Sequence, residues 1–165
     1  MNDGGGCRDT DKGMKSILAQ IVALNKFAIK AGIFEDAGSV DGVPIAEYAA
    51  YNEYGVPGPP FSENGGGQWF IPPRSFIRGY VENNREKIIS WKEYYFKLVS
   101  EGKMTAEEAA KKLGQNAKEG IKHFIKAADF VPNAQSTIRQ KHGTNRPLTD
   151  TGLMRDAVDY KVENI

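Results

Sequence analysis

The double proline in residues 71–78, which read I-P-P-R-S-F-I-R, constrains the fold more than any other part of the chain. Pro72 and Pro73 lack a backbone donor and have a fixed φ, so they are excluded from the interior of a helix. They suit an extended segment that leads into a first helical turn. We therefore expect a helix to begin near Pro73 or Arg74.

The residues that follow the prolines have two interpretations. Phe76 and Ile77 would be buried anchors of the new helix, while Arg74 and Arg78, four residues apart, would lie on one face as a paired positive charge. In the first interpretation the segment is only a rigid start of a helix. In the second, the rigid arginine pair forms a surface that binds another subunit.

Composition limits the classes of protein to consider. A chain of 165 residues fits one domain, and 22 basic against 21 acidic residues leave a formal charge of +1. That balance gives no electrostatic reason to expect DNA or an anionic membrane as the main partner. Cys7 is the only cysteine, which excludes an internal disulfide and a multi-cysteine zinc site and favours a reducing compartment.

The first residues are polar and rich in glycine. Residues 1–13 contain too few apolar side chains to offset the entropy of ordering, so we expect a disordered tail followed by a single α+β domain over residues 14–165. Apolar runs fall well short of the ~20 residues that span a bilayer, and the amino terminus has no hydrophobic signal core. We expect a soluble protein that is not secreted by that route.

Hydrophobic periodicity predicts the elements of the domain. Helical spacing predicts an amphipathic helix that begins at Met14 and packs on a sheet, and a second helix over residues 45–54 that ends at Gly55. Period two predicts a strand over residues 27–34 and a closing strand from Val158, which we expect to pair antiparallel. A short helix over residues 134–142 is also expected.

Two long helical patterns follow the prolines. Apolar residues keep helical phase from Ile77 to Val99, although the polar middle allows either one helix or two, and we favour one. Thr105, followed by two glutamates, begins another helix that extends to Ala128. The loop over residues 100–104 would join them as an antiparallel hairpin. The predicted class is therefore α+β, with a small antiparallel sheet, a long helical hairpin and extended loops.

Aromatic residues on the second helix and on the loop after it have different interpretations. Tyr48, Tyr51 and Tyr54 at spacing three predict a core-and-rim face rather than a cofactor site, because each ring buries area while its hydroxyl reaches solvent. Residues 56–68 form a loop of more than a dozen residues, and its aromatic pair, Phe61 and Trp69, favours contact with a partner. Packing of Trp69 beside its neighbour is the alternative.

Catalytic and metal-binding patterns are weak. Asp150-Thr151-Gly152 copies the aspartic-protease triplet, but only 13 residues follow it, and a helix cap with a tight turn explains it better. His123 and His142, the only histidines, have no metal-ligand spacing. We therefore expect no catalytic residue, metal or cofactor.

Three segments in order resemble one family. Residues 48–55 (Y-A-A-Y-N-E-Y-G), 71–78 and 147–162 (P-L-T-D-T-G-L-M-R-D-A-V-D-Y-K-V) are similar to the head-to-tail joining, tail-completion or neck proteins of long-tailed bacteriophages. The resemblance spans roughly residues 27–162. Two departures are visible: the family pattern has Pro where Ser75 stands, and residues 61–69 are similar to an inserted loop.

The resemblance implies a structural virion protein of the head–tail junction, a neck, tail-completion or tail-terminator component assembled in the host cytoplasm. It implies a hexameric or dodecameric ring with head-connector and tail-tube or tail-terminator proteins as neighbours, no membrane, and DNA only passing through the channel. The partner-binding residues would be Arg74, Arg78, Phe61, Trp69, Tyr51 and Tyr54. The rival classes are a small hydrolase that uses Asp150 or the histidines, and a host regulatory binding module.

Overall fold

The computed structural model describes residues 13–57, 69–133, 148 and 152–165, and these form the expected α+β fold. Its helices are α1 (Met14–Leu24), α2 (Ile45–Tyr54), α3 (Phe76–Asn83), α4 (Arg85–Ser100), α5 (Ala106–Ala127) and α6 (Leu153–Asp156). Its strands are β1 (Phe27–Gly32), β2 (Ser39–Val40), β3 (Val43–Pro44), β4 (Val56–Pro57), β5 (Trp69–Ile71) and β6 (Asp159–Asn164). The helix expected over residues 134–142 lies outside this part of the chain, and so does the expected tail over residues 1–13 except for Gly13.

Strands β1 and β6 pair antiparallel, as the sequence predicts, although they are separated by most of the chain. The register runs from Phe27 opposite Asn164 to Gly32 opposite Asp159. Side chains of alternate residues face α5, which packs on this pair of strands. The closing segment therefore completes the sheet over the longest helix.

The helical hairpin is confirmed in α4 and α5. Thr105 begins α5 with a capping box: its hydroxyl accepts from the Glu108 N–H (3.2 Å), and the Glu108 carboxylate accepts from the Thr105 N–H (2.9 Å). The hydrogen bonds that the Glu108 carboxylate accepts from the Thr105 N–H and from the Thr105 hydroxyl lower the pKa of Glu108. Farther along, the Tyr95 hydroxyl of α4 accepts from Asn116 of α5 (3.1 Å). The two helices thus lie side by side.

The prediction of one long helix after the prolines is wrong, because the chain breaks at Asn84. This residue has φ −120° and ψ 21°, outside the helical region, and its side-chain amide donates to the Tyr80 carbonyl at 2.9 Å. A side chain that bonds a nearby carbonyl competes with helical geometry. The polar stretch around Asn84 offers no buried side chain to hold the helix straight, so α3 and α4 are separate.

Helix α1 forms where predicted but packs differently. It contacts α4 and α5 rather than lying on the sheet. Gln20 of α1 accepts from the Ala106 N–H (2.8 Å), one of the donors that the first turn of α5 cannot satisfy internally. The prediction that α1 packs on the sheet fails because α5 takes that position, and α1 supports the hairpin instead.

The core lies where α2, α3, α5 and α6 meet the sheet. Its buried residues are Ile45, Ala49, Phe76, Tyr80, Ile121, Ile125, Leu148, Met154 and Val158. Two glycines of α5 make the packing possible: Gly114 lies against the Tyr160 ring and Gly120 against the Tyr80 hydroxyl, too close for a β-carbon. Glycines that weaken an isolated helix thus allow this one to pack closely.

Replacing Gly114 with alanine tests this packing. In an exposed helix alanine would stabilise by about 1 kcal/mol, but here the new β-carbon overlaps the Tyr160 ring. We expect Gly114→Ala to lower the free energy of unfolding by about 1–3 kcal/mol in urea titrations. In a Tyr160→Ala background the same change should become stabilising. Equal effects in both backgrounds would contradict the packing.

Candidate functional site

Hydrogen bonds join the double-proline segment to the end of α2. The Arg74 N–H donates to the Asn52 carbonyl at 2.6 Å, and the Ser75 hydroxyl donates to the Glu53 carbonyl at 2.8 Å. Both residues precede the helix, because α3 begins at Phe76 rather than at Pro73 or Arg74 as expected. The prolines and the two residues after them therefore form a connector whose polar groups bond to α2.

Gly55 makes this close approach possible. It ends α2 with φ 75°, a conformation that side chains disfavour, and a β-carbon there would lie 2.9 Å from the Ile71 carbonyl oxygen and from Pro73. Helix α2 thus ends where the proline connector crosses it. The predicted role of Gly55 as the end of the helix is confirmed.

Arg74 is buried, with 7% of its surface exposed. Its guanidinium donates to the Val131 carbonyl (2.9 Å), the Pro132 carbonyl (3.2 Å), and the side-chain oxygens of Asn133 (3.3 Å) and Asn52 (3.4 Å). These acceptors are all neutral, and burial lowers the pKa of Arg74. The guanidinium therefore joins α2 to the segment after α5 through a fork of hydrogen bonds.

The expected pair of exposed arginines on one helix face is therefore wrong. Arg74 precedes the helix and points inward, whereas Arg78 lies within α3 and is exposed to solvent. A spacing of four residues places side chains together only when both belong to the helix. The two arginines have different surroundings, and Arg78 alone remains available at the surface.

Glu53 supplies the cap that α3 lacks. Glu53 is buried, with 6% of its surface exposed, and its carboxylate accepts from the N–H groups of Ile77 (2.9 Å) and Arg78 (3.0 Å). The N-cap residue Ser75 makes no side-chain cap of its own. A carboxylate from another helix thus satisfies two first-turn donors and complements the positive end of the helix dipole.

Sequence reasoning missed both Asn52 and Glu53. Their signal was present: Ile45, Ala49, Asn52 and Glu53 follow helical spacing and form the buried face of α2. Polar residues at positions of an apolar face must find partners inside the protein. That pattern could have indicated a buried polar junction.

The tyrosines of α2 lie on its outer side. Tyr48, Tyr51 and Tyr54 are 43%, 39% and 64% exposed, whereas residues of a helix face that packs into the core would be buried. The Arg78 guanidinium lies over the Tyr54 ring at 5.6 Å from its centre. We call these three tyrosines and Arg78 the tyrosine surface.

Tyr51 is further held by its own helix. Its hydroxyl donates to the Glu47 carboxylate, and this hydrogen bond raises the pKa of Tyr51. Two of the rings on the tyrosine surface are thereby oriented, Tyr51 by Glu47 and Tyr54 by Arg78. Oriented aromatic rings present large contact areas with little entropy to lose on binding.

The remaining candidates are placed as follows. Trp69 begins β5, which pairs with β4, while Phe61, His142 and Asp150 lie outside the described residues. His123 is exposed on α5. In the described ranges no three His, Cys, Asp or Glu side chains are grouped to hold a metal ion. No described helix is both long and apolar enough to cross a membrane.

No family model, curated protein or solved structure matches this chain. Its function must therefore be argued from the sequence segments and the geometry above. Two features stand out together: a polar junction built on Arg74 and Glu53, and the tyrosine surface beside it.

Single arginine variants separate the two environments. Arg74→Ala should lower the free energy of unfolding by about 3 kcal/mol, because several buried acceptors lose their donor. Arg74→Lys should also destabilise, since one ammonium cannot reach acceptors spread around a guanidinium fork. Arg78→Ala, at an exposed position, should stay within about 0.5 kcal/mol. Chemical denaturation measures all three, and equal effects at both positions would contradict these environments.

A second pair of variants tests the cap from Glu53. Glu53→Gln keeps an acceptor but loses the charge at the start of α3, so it should cost about 1 kcal/mol of unfolding free energy. Glu82→Gln, which replaces an exposed carboxylate near the end of α3, is the control and should change stability little. If the two variants behave alike in urea titrations, Glu53 does not stabilise α3 in this way.

Proposed function

We propose that this protein is a structural component of the head–tail junction of a long-tailed bacteriophage, acting as a neck, tail-completion or tail-terminator protein by binding other proteins. One observation carries the proposal: the three segments that resemble that family, separated in sequence, meet at one place in the fold. The first two segments join at the junction around Arg74 and Glu53, and the third packs on α2 in the adjoining core.

The contacts among the three segments are specific. The first two, residues 48–55 and 71–78, are joined by the hydrogen bonds of Arg74 and Ser75 to the end of α2. The third contributes α6, which packs on α2 and places Met154 in the same core as Phe76. The three segments resemble the family in their order, and they also form one framework in this fold. Together they support an architecture shared with that family better than any one segment does.

The framework presents the tyrosine surface to solvent. Tyrosine and arginine dominate the energetics of many protein interfaces, because they combine large contact area with hydrogen bonding. Arg78, stacked on Tyr54, also offers a fork for a partner carboxylate. We assign binding of a neighbouring virion protein or a second subunit to this surface.

A closed ring is the assembly that this role requires. Heterologous contacts between identical subunits close into rings when the rotation permits, and a ring can surround a channel through which DNA passes. We propose a hexamer or dodecamer formed in the host cytoplasm and retained in the virion, with head-connector and tail proteins as neighbours. This activity needs no cofactor and no turnover.

The presence of the chain in particles tests this assignment directly. Mass spectrometry of purified virions should detect the protein at a fixed copy number, and electron microscopy of isolated junctions should show a ring. Its absence from virions would exclude the structural role.

Variants of the tyrosine surface test how it acts. In a phage that lacks this gene and receives it from a plasmid, Tyr54→Ala with Arg78→Ala should yield unjoined heads and tails, counted by electron microscopy. Circular dichroism and melting should stay nearly unchanged, because both residues are exposed. A loss of about 2–5 kcal/mol at each interface accounts for the defect.

The matched control is Tyr94→Ala with Arg85→Ala, an exposed tyrosine and arginine on α4, away from the junction. This control should give normal particles. Full infectivity of the Tyr54 and Arg78 variant would show that the tyrosine surface is not part of the interface. Detection of the chain in virions would still decide whether it is a structural protein of the particle.

A further inference from the structure

Strand β1 has one edge that pairs with β6 and another edge that lies open among the described residues. The Ile165 N–H donates to the Lys26 carbonyl at 2.8 Å, and the register alternates from that pair. Ala28, Lys30 and Gly32 therefore exchange hydrogen bonds with β6. The backbone groups of Phe27, Ile29 and Ala31 point the other way, and no hydrogen bond within the described ranges uses them.

An apolar groove runs along this open edge. Its volume is about 520 Å³, and it lies between β1 and the helical hairpin. The lining side chains come from α1, β1, α4 and α5 and include Phe27, Ile29, Tyr95, Phe96, Ala109 and Leu113. Phe96 is 51% exposed there. An open strand edge beside an apolar groove is a template for one more strand.

Charges near the edge restrict what could bind. Lys26 and Lys30 are the only charged residues between Gln20 and Phe34, and Lys30 is held by Glu163 at 2.6 Å. Lys26 has no ion-pair partner among the described residues, whereas the groove lining carries one cation and one carboxylate, Lys92 and Glu93. The edge therefore favours a segment that carries carboxylates on its solvent side.

We propose that an extended segment of a partner protein binds in this groove as a third strand along β1. Its apolar side chains alternate and face Leu113 and Phe96, while acidic side chains on the other face lie near Lys26. The backbone of Phe27, Ile29 and Ala31 supplies hydrogen bonds, and the groove supplies apolar contact.

A single extended segment fits better than a whole second copy. If β1 of one copy paired edge to edge with a strand of a second copy, the α5 of the second copy would lie beneath that strand, beside the α5 of the first. In the first copy that space is already filled by α4, whose Tyr95 and Phe96 form the far wall of the groove, so the second copy would clash. The strand addition involves other elements than the tyrosine surface, so it can be tested separately from the assignment to the virion.

A synthetic peptide is the probe. In antiparallel pairing, directly opposite residues place their side chains on the same face. An acetylated and amidated Thr-Val-Glu-Val-Thr-Val-Glu-Val-Thr peptide should therefore direct its valine amides to β1 when its valine side chains face α5. Methylating the valine nitrogens should abolish binding, whereas methylating the threonine and glutamate nitrogens should leave it intact.

Amide NMR of the ¹⁵N-labelled protein reads out the binding. In the free protein, Phe27, Ile29 and Ala31 amides should exchange faster with solvent than those of Ala28 and Lys30. The peptide should shift and protect the first three. Phe96→Glu, in the groove wall, should weaken peptide binding by about tenfold or more, because it places a charge where an apolar contact is needed. Ile89→Glu, an exposed apolar position on the same helix outside the groove, is the control.

Four results would overturn the proposal. Slow exchange of Phe27, Ile29 and Ala31 in the free monomer would show that the chain covers its own edge. Self-association in analytical ultracentrifugation that Phe96→Glu abolishes would make a second copy the occupant. Equal binding of the two methylated peptides, or equal loss with Phe96→Glu and Ile89→Glu, would exclude a hydrogen-bonded third strand.

Discussion

The buried guanidinium of Arg74 is the interaction on which the rest of the junction depends. A charge removed from water must have its donors satisfied, and here carbonyl and amide oxygens from two distant stretches of chain do so. Because the donors form a rigid planar fork, their acceptors are held in fixed relative positions. The end of α2 and the segment after α5 are thereby placed around the double-proline connector.

Glu53 extends that arrangement to α3. Its carboxylate stabilises the first turn of a helix that its own N-cap leaves uncapped, so α2 and α3 are tied by both backbone and side chain. The cost is that α2 buries polar residues on the face where apolar ones are usual. The tyrosines occupy the opposite, outer face of α2. The position of α2 is fixed by its hydrogen bonds to the double-proline connector and to α3.

Local patterns predicted much of the fold from the sequence. Helix α2 and its end at Gly55, the α4–α5 hairpin with its capping box, and the pairing of β1 with β6 all follow from periodicity and capping residues. The site was predicted less well. Tyr51, Tyr54 and Arg78 are exposed, but Arg74 points inward, and Asn52 and Glu53 were not anticipated.

The sequence by itself determined where the chain can be helical or extended, because those preferences depend on neighbours within a few residues. It also determined that the prolines must form a connector rather than part of a helix. Only the tertiary structure decided that Arg74 is internal and that Gly114 receives the Tyr160 ring. Each of these outcomes depends on groups far apart in the chain, and spacing along a sequence carries no information about which distant surfaces meet.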